Sequence, residues 1–198
     1  MWPVRRILHV ALPALLALLA VGPAPAWARE GWEVQSVSVT GLPSGVSDPS
    51  DRLGLSSHGG LLGEDDPIFR ESILQADLQR LKLLLARHGY PYAEIRPEVK
   101  SDDRERRVSV TLTVRPGRPV RVGEVRVTGV PDGREDAGRA AASMLPRRSV
   151  FRDQRAKDAR KRLTDDLAAA GYLHAEASLT VERPDSFTAT VTLSATPG

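Results

Sequence analysis

The chain has 198 residues, 28 Lys and Arg against 25 Asp and Glu, and no cysteine. These totals exclude a disulfide-stapled scaffold and a cysteine-linked lipid anchor, and a formal charge of +3 gives no sign of the clustered basic surface of a nucleic-acid binder. Stability must come from buried apolar surface, and the length is enough for two small cores.

Residues 1–28 read as a cleaved signal peptide. Arg5 and Arg6 are positive, Ile7 to Val21 is apolar, Gly22 and Pro23 interrupt it, and Ala26-Trp27-Ala28 supplies a small-x-small cleavage site. The apolar run falls short of the roughly 20 residues that a membrane-spanning helix needs. Removing it takes two arginines and leaves 26 basic against 25 acidic residues, a nearly neutral exported chain.

The first element after that segment is a strand, Val37-Ser38-Val39-Thr40-Gly41, alternating apolar and polar side chains before a glycine turn. Pro49, Gly54, Gly59, Gly60 and Gly63 then predict a short or frayed helix. Ile68-Phe69-Arg70-Glu71 opens a clearer one, with Leu74, Leu78, Leu81 and Leu85 on one face and Gly89 suited to its left-handed end. A hairpin follows, with strands Tyr92 to Val99 and Arg107 to Val114 around a turn at Ser101-Asp102-Asp103, and the unit closes on Pro116-Gly117.

The same order then recurs. Val125-Arg126-Val127-Thr128-Gly129 is the strand, and Glu135 to Met144 a helix. Val150-Phe151-Arg152-Asp153 opens a second helix with the stripe Ala156, Ala159, Leu163, Leu167 and Ala170, ending at Gly171. Leu173 to Val181 pairs with Phe187 to Ala195 across a turn at Arg183-Pro184-Asp185, and Pro197-Gly198 closes the unit. An offset of 82 links Phe69 to Phe151, Leu81 to Leu163, Gly89 to Gly171 and Tyr90 to Tyr172, so one structural unit is built twice. The expected fold class is α+β, two tandem β-α-α-β-β units at 29–117 and 118–198, each a three-stranded mixed sheet covered by two helices.

This order, the Gly-Tyr at the helix end and the Pro-Gly before a V-x-V-x-G strand resemble POTRA (polypeptide-transport-associated) domains. The most specific stretch runs from Val110 to Gly117 and on through Val122 to Gly129, which is similar to the junction of tandem units in the BamA/TamA family of outer-membrane assembly proteins. The resemblance implies a periplasmic module that receives unfolded outer-membrane proteins or an assembly partner. It also implies sheet order 1-3-2, with the second strand an exposed edge where a partner strand adds. Alternatives are the periplasmic arm of a two-partner secretion transporter and a client-free structural adaptor. No residues remain here for a transmembrane barrel, so membrane association would run through a barrel absent from this chain.

The two edges differ. Unit one's strand, with Ala93, Ile95 and Val99, carries Pro97 and the charges Glu94, Arg96 and Glu98, which discourage pairing. Unit two's strand, with Leu173, Ala175, Ala177, Ser178, Leu179 and Val181, has no proline and is the expected client edge. Arg147, Arg148, Arg152, Arg155 and Arg160 form a candidate basic patch, set against a solvated helix face because Asp153, Asp158, Asp165 and Asp166 lie among them. Phe69 and Phe151 are expected in the core. His58-Gly59-Gly60 lacks a nucleophile elbow, Glu64-Asp65-Asp66 lacks calcium-loop spacing, and His88 and His174 have no cysteine to complete a metal set. The expectation is a non-enzymatic binding scaffold without cofactor or metal.

Overall fold

A computed structural model of the chain describes residues 29–56 and 67–198. The expected signal peptide, His58-Gly59-Gly60 and Glu64-Asp65-Asp66 lie outside the described residues. Unit one contains β1 (Glu33–Thr40), α1 (Glu71–Arg87), β2 (Glu94–Asp102) and β3 (Arg107–Arg115). Unit two contains β4 (Arg121–Thr128), α2 (Glu135–Ser143), α3 (Asp153–Ala169), β5 (Glu176–Asp185) and β6 (Thr188–Thr196).

Each unit forms its own sheet, in the order β1-β3-β2 and β4-β6-β5. The last strand is central in both, parallel to the first and antiparallel to the second. Its composition explains that place. Val108, Val110, Leu112 and Val114 of β3 are all buried, as are Ala189, Val191, Leu193 and Ala195 of β6. The alternate Ser and Thr positions face away from the helices, where Ser38 Oγ donates to Thr111 Oγ1 at 3.2 Å and Thr128 Oγ1 to Ser194 Oγ at 3.1 Å. A bulge interrupts both parallel ladders at matching positions, between Val34 and Ser36 and between Val122 and Glu124.

The helix stripes lie largely as the spacing predicts: Leu74, Leu78, Leu81 and Leu85 in one core, Ala156, Ala159, Leu163 and Leu167 in the other, while Ala170, expected on the same stripe, is the C-cap of its helix and only half-buried. Phe69 and Phe151 are buried beneath the helix starts. Both helices close on a left-handed glycine, Gly89 at φ +93 and Gly171 at φ +100. Tyr90 N then reaches back to Leu85 O at 2.8 Å and Tyr172 N to Leu167 O at 3.1 Å, the double-turn cap that satisfies otherwise orphaned carbonyls.

Unit one departs from the repeat where its glycines predicted a weak helix. Among the described residues, that stretch holds two 3-10 turns, Ser50–Arg52 and Gly54–Ser56. Asp77, fully buried on the inner face of α1, holds them in place. Its carboxylate accepts from Gly54 N at 2.8 Å, Leu55 N at 2.9 Å and the Arg80 guanidinium at 2.8 Å. A side-chain acceptor therefore does for unit one what α2 does by packing in unit two.

The hairpin turns fall later than the sequence suggested. Ser101 and Asp102 are the last residues of β2, and the turn lies at Asp103 to Arg106, with Asp102 Oδ1 accepting from Arg104 N and Glu105 N. In unit two, Arg183, Pro184 and Asp185 belong to β5, and the turn is Ser186-Phe187. Asp185 anchors it by accepting from Phe187 N at 2.7 Å.

Candidate functional site

Four edge strands and one joint are the features that can engage another chain. In each sheet the first and second strands are outermost; β1 and β4 are bridged at their starts by Ile68 and Val150, and β2 and β5 each have one unpaired side among the described residues. Which backbone groups point outward follows from the central strand. The Val114 carbonyl lies against Gly41, and the Ala195 carbonyl against Gly129, so close that a Cβ on either glycine would stand 2.2 or 2.1 Å from it. Both carbonyls therefore face the parallel neighbour. Backbone direction alternates along an antiparallel ladder, so their partners on the other side, Ile95 and Ala177, turn their N–H and C=O groups to the outer edge. The same parity holds for Pro97 and Val99 in β2, and for Leu179 and Val181 in β5.

Pro97 thus removes a donor from the free edge without removing one from the β2–β3 ladder. Flanking pairs, Arg96 with Glu94 and Lys100 with Glu98, add exposed charge along the same strand. β5 keeps its outward donors at Ala177, Leu179 and Val181. One outward acceptor is engaged: Arg160 Nη1 reaches from α3 to Ala177 O at 3.3 Å.

Several expected edge residues take other places. Leu173 precedes β5, in the turn after α3, and is 80% exposed. Ala175 also precedes the strand and is buried, because Ala175 N returns to Tyr172 O at 3.0 Å and the chain turns before it extends. Ala177 is buried and Leu179 packs on the same core, so their side chains face inward while their backbone faces the edge. Val181 is the one apolar side chain of β5 that is exposed. Ser178 turns its backbone toward β6, opposite Ser194. In unit one Ala93 precedes β2, and Ala93, Ile95 and Val99 pack on the core.

The five arginines have different partners. Arg147 Nε donates to Gly123 O at 3.0 Å, and the Arg148 carbonyl accepts from Arg121 Nη1 at 2.6 Å. Arg152 reaches across to Ser44 O of unit one at 3.3 Å, and Arg160 serves β5. Arg152 and Arg155 both line a groove of about 530 Å³ between the units, where Arg87 and Lys157 stand beside Asp153 and Asp158. Further along α3, Lys161 and Arg162 pair with Asp165 and Asp166, which fits the solvated-face reading for that end.

Sequence reasoning missed the joint. Val120 N donates to Gly89 O at 2.8 Å. The Phe151 carbonyl sits where a side chain on Gly89 would be, 2.3 Å from a Cβ built there. Phe187, at the tip of the β5–β6 turn, meets Tyr92 edge-on at 5.7 Å and lies under the Arg118 guanidinium at 4.3 Å. An aromatic in a two-residue hairpin turn is the signal that could have exposed it, had the turn been placed correctly.

The turn also carries a pH dependence. The Phe187 N–H, the Thr188 hydroxyl and the nearby Arg118 charge hold the Asp185 carboxyl below its ordinary value of 3.8. A lowered folded value means that the support is complete above the ordinary value and is lost as pH falls through the folded one. Protection of the Phe187 amide against hydrogen exchange is expected to fall at pH below about 3.8, and Asp185→Asn should remove most of that dependence.

Among the described residues no cluster of His, Cys, Asp and Glu could hold a metal ion, and no helix is long and apolar enough to cross a membrane. The chain is, by fold, a tandem of small mixed-sheet modules with open edges. Residues 55–117 match the model of the POTRA family, described as "Surface antigen variable number repeat". Unit two repeats that topology.

Similar solved structures include BamA POTRA3-5 of Haemophilus influenzae, at 21% identity and TM-score 0.44, over 84% of this chain and 66% of that one. The N-terminal domain of Omp85 from Thermosynechococcus elongatus aligns at 15% identity and TM-score 0.39, over 81% of this chain and 61% of that one. CdiB from Escherichia coli aligns at 16% identity and TM-score 0.37, over 90% of this chain and 30% of that one. The chain thus spans less than two thirds of each. No curated protein sequence matches it.

Proposed function

We propose that the chain is a periplasmic scaffold in outer-membrane protein assembly or secretion, of the BamA/TamA type, which holds an extended client segment by strand addition along β5. The observation that carries this reading is the contrast between the two edges: outward donors persist at Ala177, Leu179 and Val181, while β2 has Pro97 at the equivalent of Leu179. Main-chain hydrogen bonds give such a site affinity with little demand on sequence, which suits a chain that handles many unfolded barrels. The signal peptide read over residues 1–28 supports the periplasmic location. No chemistry is assigned, and the module acts by binding alone.

Val181→Pro tests it. The substitution removes one outward donor and leaves the β5–β6 ladder intact, because the Val181 N–H faces away from β6. Titrated with a synthetic peptide copying a terminal strand of an outer-membrane barrel, the variant is expected to bind about tenfold more weakly, the equivalent of one net hydrogen bond of about 1.4 kcal/mol. Unchanged affinity, with the fold intact by circular dichroism, would reject β5 as the binding edge.

A further inference from the structure

The groove between the units holds more positive charge than the chain itself uses. It is bounded by the C-terminal end of α1 and the first turns of α3, and its 530 Å³ falls within the range of ligand clefts, about 300–1,000 Å³. Arg87, Arg152, Arg155 and Lys157 line it against Asp153 and Asp158, four cations to two carboxylates in a chain whose formal total is only +3. We infer that this groove is a docking site for an acidic segment of a partner protein, which brings carboxylates to the cations left open there.

Three of the four cations are unspent. Arg87, Arg155 and Lys157 make no hydrogen bond or ion pair among the described residues, and Arg152 gives a single bond, to Ser44 O at 3.3 Å. Further along α3 the pattern is different, since Lys161 and Arg162 each hold an aspartate one turn on. The two acids of the groove do not neutralise it. Asp158 accepts from Gln154 Nε2 at 2.8 Å, and Asp153 lies in the first turn of α3, where the helix dipole already favours negative charge.

The repeat shows which chemical group suits the place. Both α1 and α3 follow an arginine that gives no side-chain cap. In unit one the first helical N–H, that of Glu71, donates to a carboxylate from outside the helix, Glu30 Oε2, at 3.1 Å. Unit two has Arg118 where unit one has Glu30, and Arg118 lies over Phe187 instead. The matching N–H, that of Asp153, has no partner among the described residues, and Asp153 lines the groove. A docked acidic side chain therefore gives unit two the carboxylate that unit one draws from its own chain. An anionic membrane fits less well, because a continuous layer of phosphates would also have to face Asp153 and Asp158. Carboxylates spaced along a chain can meet the cations and pass the acids, and each guanidinium can grip one through two parallel hydrogen bonds.

The test is fluorescence anisotropy of a labelled peptide alternating Glu and Gly, and of its Gln counterpart, titrated with the protein at low ionic strength. The Glu peptide is expected to bind and the Gln peptide not to. Arg87→Gln and Arg155→Gln should each weaken binding about two- to fivefold, the range for single exposed ion pairs, and added salt should weaken it further. Gly89→Ala should weaken it as well, although it removes no charge, because the groove exists only while the units are in contact. Arg96→Gln, on β2 and outside the groove, should leave the affinity unchanged. So should Val181→Pro, so that this site and the β5 edge stand or fall separately. Equal binding of the two peptides would overturn the proposal, as would binding that survives Arg87→Gln combined with Arg155→Gln, or that is indifferent to Gly89→Ala. Vesicles of equal parts phosphatidylcholine and phosphatidylglycerol that bind through these arginines, while the Glu peptide does not, would overturn it in favour of a membrane surface.

Discussion

Replacing Asp77 with alanine is expected to destabilise unit one by about 2–4 kcal/mol, because it strands two backbone donors in a buried site and removes the partner of Arg80. Gly54 N and Leu55 N have no helix of their own to bond within, and Leu55 is itself fully buried. Asp77→Asn keeps one acceptor oxygen and places an NH2 group against the second donor, so its cost should fall between that of alanine and zero. Chemical denaturation followed through Trp32, which packs against unit one's core, reads the effect where it arises. A loss below about 0.5 kcal/mol for alanine, the range of ordinary surface substitutions, would show that the 3-10 turns are held by something else.

Gly89→Ala should cost more than Gly171→Ala, although the two glycines end equivalent helices in the same backbone conformation. Either substitution places an L side chain in the left-handed region, at about 1–2 kcal/mol. Only the first also drives a methyl group into the Phe151 carbonyl and the Val150 side chain. The excess, about 1–3 kcal/mol by analogy with overpacked cores, has to be relieved by moving unit two away from unit one. Paired thermal melts of the two variants measure it. The Tyr92–Phe187 contact should also weaken in Gly89→Ala, seen as loss of nuclear Overhauser effects between the rings, and stay intact in Gly171→Ala. Equal melts with intact ring contacts would mean that the joint is softer than its packing implies.

Most of the fold was legible because it rests on local signals that occur twice. The leucine and alanine stripes, the glycine-tyrosine helix ends and the alternating central strands each state their own structure, and the repeat confirms the reading. The site was less legible. Alternation in β5 showed that Ala177, Leu179 and Val181 share a face, but that face belongs mostly to the core, and what a partner could use is the backbone. Side-chain pattern does not reveal which N–H groups point outward. That depends on how Ala195 lies against Gly129, a contact across 66 positions of sequence. Leu173 and Ala175 resembled strand because their residue types suit one, but the chain must leave the helix cap before it can extend. Asp77 escaped notice for a similar reason. It falls on the apolar stripe three residues after Leu74, where an acid is explained only by the glycine turns it binds 22 and 23 residues earlier.

The strand order has a consequence for how the protein comes to exist. β1 finds its partner only in β3, where Glu33 and Arg107 pair across 74 residues, and β4 likewise waits for β6. Within each unit the earliest strand is therefore the last to be secured, since long-range parallel pairing must await closure of the intervening chain. A chain delivered N-terminus first would carry β1 unpaired until its own hairpin had followed it. During that interval β1 is itself an unpaired strand that needs protection. The bulge after Val34 and the short polar run Gln35-Ser36 make β1 a poor template for foreign strands while it waits.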